Sequence, residues 1–221
     1  MDLKIYGQGS SAGGKYNKVS IMGEGKIGGD VDCLNIKIYG EGEILGNLKV
    51  NDDIDVKGHA NIKGDLEGEK LKIQGDVQVY GASVEKAEIM GNITTKNDFN
   101  AEKFKLEGGF NIGSLLNADE IEISLYWPCK AREIGGSKIK VKKDSKLSFL
   151  GLKNMIKPNE CSKELIADII EGDNLYLEYT KARVVRGNNI ELGPGCEIEL
   201  VEYKNDFKQD EKTKVTTYKE I

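Results

Sequence analysis

The stretch Val19–Leu48 reads VSIMGEGKIGGDVDCLNIKIYGEGEILGNL and contains one unit twice. Each unit opens with the order apolar–x–apolar–x–Gly, first at Val19, Ile21 and Gly23 and again at Ile36, Ile38 and Gly40. The alternation then continues with a period of two, which predicts β-strands with the apolar positions facing inward. An alternation of two inside a unit of 17 residues leaves little room for a helix. The pattern therefore predicts a coil of short strands joined by tight corners.

The same unit recurs along the first two thirds of the chain. Its two apolar positions are Leu3/Ile5, Val19/Ile21, Ile36/Ile38, Ile54/Val56, Leu71/Ile73, Ala87/Ile89, Phe104/Leu106, Ile121/Ile123 and Ile139/Val141. From Ile5 to Ile123 the steps are 16, 17, 18, 17, 16, 17 and 17 residues. Self-similarity at a fixed period is typical of solenoids. We predict an all-β fold, a single-strand parallel β-helix (β-solenoid) with about 17 residues per coil, right-handed like most parallel crossovers.

The residue between the two apolar positions carries a second regularity. In successive coils it reads Lys37, Asp55, Lys72, Glu88, Lys105, Glu122 and Lys140, so the sign of the charge alternates. Stacked parallel strands lie about 4.8 Å apart, which would make these residues neighbours. Opposite charges at that distance stabilise one register, because a slip of one coil would place like charges together.

The repeat spacing is interrupted after Ile123, and residues 1–150 are predicted to hold the main coils. We expect residues 124–138, SLYWPCKAREIGGSK, to leave the coil path as a loop, with Trp127 packed over the solenoid rather than marking a binding surface.

Residues 151–172 are predicted to form a loop and one short α-helix near 159–171. Leu165, Ile166, Ile169 and Ile170 fit one helix face, Asn159 or Ser162 could cap its start, and Gly172 could end it. Further β coils are expected at 173–203 and a flexible polar tail at 204–221.

Composition excludes several classes of function. The formal net charge is −5 and no run of like charges forms a basic arm, so nucleic-acid binding is not expected. The N-terminus MDLKIYGQGS lacks a signal-peptide pattern, and no stretch approaches the roughly 20 apolar residues that span a bilayer. We therefore expect a cytoplasmic protein without an integral membrane segment, with any membrane association arising through partners.

The four cysteines, Cys33, Cys129, Cys161 and Cys196, are too far apart for a zinc knuckle or a redox pair. Cys33 is in phase with Val31, which predicts a small buried residue rather than a reactive thiol. No cofactor, metal or catalytic residue is predicted.

The repeats KIYGEGEILGNL (37–48), VKGHANIKGDLEG (56–68) and IQGDVQVYG (73–81) resemble those of the bactofilins, bacterial polymer-forming cytoskeletal proteins. The resemblance covers residues 3–123. A longer bactofilin-like group of Gram-positive bacteria has a C-terminal stretch similar to residues 184–203, VVRGNNIELGPGCEIELVEY. The resemblance implies a right-handed β-helix that assembles end to end without nucleotide and organises envelope processes such as cell shape, wall synthesis or motility. Its implied partners are further copies of itself, as a homo-oligomer or filament, a paralogue, or envelope proteins. The expected helix and C-terminal coils depart from the compact bactofilin pattern.

The ends of a solenoid expose unpaired strand edges, which stable monomers cover with polar segments or helices. The apolar repeat already starts at Leu3, so no residues are expected to cap the N-terminal end. We predict end-to-end self-assembly through an interface made of Leu3, Ile5, Tyr6, Val19, Ile21, Ile190, Leu192, Ile198 and Leu200. A lateral docking stripe is a second hypothesis, based on the outward residues Tyr6, Met22 and Tyr39, whose column continues as Lys57, Gln74, Met90 and Glu107.

Two enzymes and an adaptor are the alternatives. A hexapeptide-repeat acyltransferase would explain the six-residue spacing from Ile38 to Ile62, but His59 is the only candidate general base and has no evident acidic partner at a fixed spacing. A polysaccharide lyase would need clustered acids, and Asp52, Asp53 and Asp55 fall at a predicted turn. The glycines of GEGKIGG (23–29) precede no helix, unlike those of a phosphate-binding loop. A non-polymerising adaptor would be separated from a filament by size-exclusion chromatography.

Overall fold

The chain folds into parallel strands wound into a β-solenoid of about 12 turns. The computed structural model describes residues 1–143 and 163–221. The strands are β1 (Leu3–Ser11), β2 (Gly14–Ile27), β3 (Val31–Ile44), β4 (Leu48–Ile62), β5 (Leu66–Val79), β6 (Ala82–Thr95), β7 (Phe99–Lys143), β8 (Leu165–Leu177), β9 (Thr180–Leu192), β10 (Glu197–Gln209) and β11 (Lys214–Glu220). They form one sheet in the order β1 to β11, and each strand runs parallel to the next. The all-β solenoid prediction is confirmed.

The strand registers confirm the repeat residue by residue. The first apolar position of each unit forms one column, in the order Leu3, Val19, Ile36, Ile54, Leu71, Ala87, Phe104. The second position forms a neighbouring column, in the order Ile5, Ile21, Ile38, Val56, Ile73, Ile89, Leu106. Apart from the partly buried Leu3, all of these side chains are buried, so the core is a set of aliphatic columns that run along the rod.

Side-chain volume is balanced between neighbouring coils in the middle of the rod. Phe99 and Phe104 are fully buried and pack edge to face, with ring centroids 5.1 Å apart. In the coil before them the stacked residues are Ala82 and Ala87. Because interiors are packed as densely as organic crystals, the small alanines make the space that the two rings fill.

One corner of the solenoid is built from glycine. The glycine that ends the pattern apolar–x–apolar–x–Gly forms a column of its own, in the order Gly7, Gly23, Gly40, Gly58, Gly75, Gly91, Gly108. Gly58 has a φ of 124°, and a β-carbon added there would clash with the carbonyl oxygen of Gly40. The corner therefore requires glycine for two reasons, the left-handed backbone and the close approach of the neighbouring coil.

The expected loop at 124–138 is wrong, because these residues lie inside β7. Cys129 and Ile134 are buried and stack on Leu165 and Ile170 of β8. The coil path is therefore kept although the spacing of the repeat changes, and Trp127 and Pro128 are exposed on it. Trp127 is 49% exposed, so the prediction that it packs over the solenoid is not met.

The expected helix is wrong over Lys163–Glu171, while residues 159–162, including both proposed caps, lie outside the described ranges. Leu165 begins β8, where Leu165, Ala167 and Ile170 are buried and Ile166 is exposed. Apolar residues at i, i+1, i+4 and i+5 fit a helix face and also a strand that turns a corner. Here β7 on one side and β9 on the other supply backbone hydrogen-bond partners, so the residues form a strand.

The C-terminal residues form coils that are slightly shorter at first. Further β coils were expected at 173–203, and the structure has β8, β9 and β10 across these residues. Leu165 stacks on Thr180, fifteen residues later, whereas Ile190 stacks on Phe207 after seventeen. The structure also differs from the expected tail at 204–221, because β10 runs to Gln209 and β11 pairs with β10 along Lys214–Glu220. Backbone pairing orders this polar stretch, which its composition did not indicate.

Candidate functional site

The predicted charge column exists, but its members pair elsewhere. Lys37, Asp55, Lys72, Glu88 and Lys105 are neighbours in consecutive coils. Asp55 accepts a hydrogen bond from the Tyr39 hydroxyl at 2.7 Å, and this bond raises the pKa of Tyr39. Glu88 pairs with Lys86 of its own coil at 2.7 Å, and that hydrogen bond lowers the pKa of Glu88. The column therefore exists without forming a continuous chain of ion pairs.

A second charge column, which the sequence analysis missed, does form ion pairs. In the N-terminal coils it runs Lys15, Asp32, Lys49, Glu67, with contacts of 3.0 Å from Lys15 to Asp32 and 3.3 Å from Lys49 to Glu67. The signal was available as opposite charges that recur at 17 or 18 residues, between inward positions such as Val31 and Cys33. These pairs are exposed, so each is worth little on its own.

A third charge column lies on the C-terminal coils and has shorter contacts. It runs Glu171, Arg186, Glu202, Lys219, with contacts of 3.1, 2.6 and 2.8 Å between successive charges. Only 10% of the Glu202 side chain is exposed. Hydrogen bonds from Lys219 and Arg186 lower the pKa of Glu202. Glu202 thus links β9, β10 and β11 through its side chain.

The predicted N-terminal interface residues lie at different depths. Leu3 and Ile5 belong to β1, the outer strand of the sheet, which pairs with β2 on one edge and with no other strand in the described ranges. Ile5 is buried and Leu3 is partly buried. Tyr6 is 62% exposed and faces the side of the rod. Val19 and Ile21 lie one coil deeper and are buried between β1 and β3.

The predicted C-terminal residues fall short of the actual end of the rod. Ile190 and Leu192 are stacked on Phe207 and Gln209 of β10. Ile198 and Leu200 are stacked on Val215 and Thr217 of β11. The outermost coil is instead aromatic, with Phe207 between Tyr203 and Tyr218 at centroid distances of 5.6 and 5.4 Å.

Extending the period by one step would have found this end. Phe207, Val215 and Tyr218 each lie seventeen residues after an apolar position of the preceding coil. Val215 and Phe207 are partly buried against the core, and Tyr218 is 59% exposed. Each outer strand of the sheet thus carries partly exposed apolar side chains next to an unpaired backbone edge.

The residues considered for the enzyme alternatives, His59 and the three aspartates of β4, do not form a pocket with shared contacts. His59 is exposed and stands between Glu41 and Asp76 in its column, so the register supplies acidic neighbours that the sequence analysis missed. Asp52, Asp53 and Asp55 lie in β4 at a register irregularity, where Asp52 accepts a hydrogen bond from Asn35 at 3.2 Å. Among residues 1–143 and 163–221, no three His, Cys, Asp or Glu side chains are placed to hold a metal ion.

The cysteines of the described ranges behave as core residues. Cys33, Cys129 and Cys196 are buried, which confirms the prediction for Cys33, and Cys161 lies outside those ranges. Burial raises the pKa of Cys33 and Cys196 to about 11 and that of Cys129 to about 12. Thiols with such values are protonated at neutral pH and poor nucleophiles.

The proposed docking stripe is only partly apolar. Met22 and Met90 are 42% and 55% exposed, and Tyr6 shares their column. Between them, the ammonium group of Lys57 lies over the Tyr39 ring, 4.8 Å from its centroid. The stripe is therefore broken by a cation–π contact, and docking there stays a prediction.

Comparison with known proteins agrees with this architecture. The family model "Bactofilin: Polymer-forming cytoskeletal" matches residues 1–85. Uncharacterized protein YhbF of Bacillus subtilis is 38% identical over 239 aligned positions, which cover 97% of each chain. Uncharacterized protein YhbE of the same organism is 36% identical over 234 positions, covering 97% of this chain and 96% of YhbE. No solved structure matches the chain. Within the described ranges, no helix is long and apolar enough to cross a membrane.

Proposed function

The chain belongs to the bactofilin family of polymer-forming cytoskeletal proteins, and from this premise we propose that it polymerises end to end without nucleotide. One observation carries the proposal: β1 and β11 are the outer strands of a single parallel sheet. Each presents a row of backbone N–H and C=O groups to another coil. Stacking two rods would pair these groups and bury the apolar side chains beside them.

The apolar groups at the ends support burial as the driving force. At the β1 end these are Leu3 and Ile5, and at the β11 end Phe207 and Val215, all in contact with the core below. The columns they belong to would continue into the next molecule. No nucleotide is needed in this scheme, since the glycine-rich residues 23–29 are accounted for by strand β2 and its corner.

The cellular role we propose is a scaffold in the cytoplasm that organises envelope processes such as cell shape, wall synthesis or motility. Polymers of this kind would present the same side-chain ladders many times over, which suits the recruitment of partners by repeated weak contacts. A fluorescent fusion that forms discrete structures near the envelope in wild-type cells, and diffuse signal in a polymerisation-defective variant, is the expected result.

The test of assembly is electron microscopy with sedimentation of the purified protein. Ile5→Lys should shorten or abolish filaments, because it places a charge on the end coil. Ser10→Lys is the matched control: it adds the same charge to β1 at an exposed position on the side of the rod. Circular dichroism checks that both variants keep their β content, and Phe207→Lys repeats the test at the opposite end. A wild-type protein that stays a monomer at micromolar concentration contradicts the proposal.

A further inference from the structure

The dipeptide Glu–Lys occurs at the same corner of three consecutive coils. It appears as Glu69–Lys70, Glu85–Lys86 and Glu102–Lys103, each directly before an inward residue of the repeat. Lys70 lies beside Lys86 in the strand register, and Lys86 lies beside Lys103. All six residues are exposed. The corner thus forms a ridge with an acidic row (Glu69, Glu85, Glu102) next to a lysine row (Lys70, Lys86, Lys103).

Within one rod this arrangement stacks like charges. Strands about 4.8 Å apart place three ammonium groups in one column and three carboxylates in the next, which is unfavourable. Lys86 and Lys103 make exposed ion pairs with Glu88 at 2.7 Å and Glu120 at 3.5 Å. The three glutamates of the acidic row make no ion pair or hydrogen bond with any residue in the part of the chain that the structure describes. Both rows therefore have unused capacity for opposite charge.

We propose that this ridge binds the same ridge of a second copy, so that filaments associate laterally in pairs. When two ridges face each other, parallel rods place the acidic row of one against the lysine row of the other. Antiparallel rods would place acid against acid and lysine against lysine. Charge complementarity thus selects the parallel arrangement and disfavours the antiparallel one.

The flanking coils refine the alignment of the two rods. Asp52–Asp53 and Asp119–Glu120 occupy the same corner and are acidic in both rows. With the rods in exact register, these acids would face each other. A stagger of one coil brings Asp52 and Asp119 opposite Lys70 and Lys138 of the neighbour. It leaves two acid–acid contacts, Glu69 with Asp53 and Glu102 with Glu120, in place of the four that exact register gives. The pairing ridge is limited to the middle of the rod.

Lateral pairing rests on the proposed end-to-end polymer, because three coils of exposed charge bind weakly alone. In a filament every subunit contributes a ridge, so the contacts act together. Salt should separate the pairs, since the Debye length falls from roughly 14 Å at about 50 mM to about 4 Å at about 500 mM salt. Stacking at the ends depends on apolar burial and backbone pairing and should persist.

Two charge-reversal variants test the proposal. K70E/K86E/K103E makes both rows acidic, and E69K/E85K/E102K makes both rows basic. Electron microscopy at low salt should show paired filaments for the wild type, single filaments for each variant, and paired filaments again when the two variants are mixed. K63E/K96E/K130E is the charge-matched control, because it reverses three exposed lysines elsewhere and should still form pairs.

Orientation has its own measurement. In a Cys161→Ser background, a short thiol cross-linker should join Glu85→Cys to Lys103→Cys in mixed filaments. It should not join two copies of Glu85→Cys, which approach each other only in antiparallel pairs.

The outcomes separate this inference from the proposed function. Single wild-type filaments at every salt concentration, paired filaments of either variant alone, or no recovery on mixing would each overturn lateral pairing while leaving end-to-end assembly intact. If the wild type forms no filaments, the proposed function fails. Lateral pairing of filaments, which rests on that polymer, then fails with it.

Discussion

Oε2 of Glu202 lies 2.6 Å from both Nε and Nη2 of Arg186, the residue that stacks on it in the preceding coil. Its other oxygen lies 2.8 Å from the ammonium group of Lys219 in the following coil. One carboxylate thus links β9, β10 and β11, while its side chain is only 10% exposed. Since each coil of a solenoid contacts only its neighbours, such a link decides how firmly the last coil is held.

Glu202→Gln should loosen the C-terminal end of the rod. The variant removes the carboxylate that pairs with Lys219 and leaves Arg186 with Glu171 as its remaining charged partner. We expect a loss of about 1–2 kcal/mol, reduced from the value of a fully buried pair because Arg186 is partly exposed. Hydrogen exchange of the β10 and β11 amides measures it. Glu199→Gln, at an exposed position of the same strand, is the control. Equal exchange rates in the two variants would contradict the prediction.

The same carboxylate should make the stability of these coils depend on pH. Because hydrogen bonds from Lys219 and Arg186 lower the folded pKa of Glu202, its contribution is fully present above the unfolded value of about 4.3. It is lost as the pH falls from there through the folded pKa. The difference in stability between wild type and Glu202→Gln should be constant from pH 7 to 5 and shrink in more acidic solution. A difference that grows on acidification would refute this.

Gly58→Ala should destabilise the middle of the rod strongly. The residue has a φ of 124°, and the new β-carbon would meet the carbonyl oxygen of Gly40. We expect a loss of at least about 2 kcal/mol in denaturant unfolding. Gly28→Ala is the matched control, because its nearest neighbour would be the carbonyl oxygen of Ser11 at 3.6 Å, an ordinary contact. Similar midpoints for the two variants would show that the glycine corner is not constrained.

Phe104→Ala should open a cavity that the preceding coil can partly refill. Removing this buried ring is expected to cost about 3–5 kcal/mol. Ala87 stacks directly on Phe104, so Ala87→Leu in the Phe104→Ala background should recover part of the loss. Alone, Ala87→Leu should cost about 1–3 kcal/mol by overpacking. Unfolding of all three variants forms a double-mutant cycle, and strict additivity would be evidence against direct packing of these positions.

The candidate assembly surfaces could be predicted from the sequence only in part. Leu3 and Ile5 were found because the repeat is regular up to the N-terminal end. The aromatic end at Phe207 and Tyr218 was missed because residues 204–221 are polar and were expected to form a flexible tail, although the two aromatics lie seventeen residues after Ile190 and Val201. The acidic and lysine rows are visible as a repeated Glu–Lys pair, but their meaning depends on which residues share a corner.

The solenoid can be predicted from the amino-acid sequence, because an alternation of two inside a period near 17 is compatible with stacked strands and with little else. The register of the first coils can also be predicted from the sequence, since any shift in strand pairing would expose apolar side chains that are now buried. That residues 165–171 form a strand could be known only from the folded chain, because their pattern fits a helix or a strand and the edge of β7 supplies the hydrogen bonds. Which charges pair also depends on the folded structure. Asp55 is next to Lys37 in the neighbouring coil, but it accepts a hydrogen bond from Tyr39, and the sequence does not show which of the two its side chain contacts.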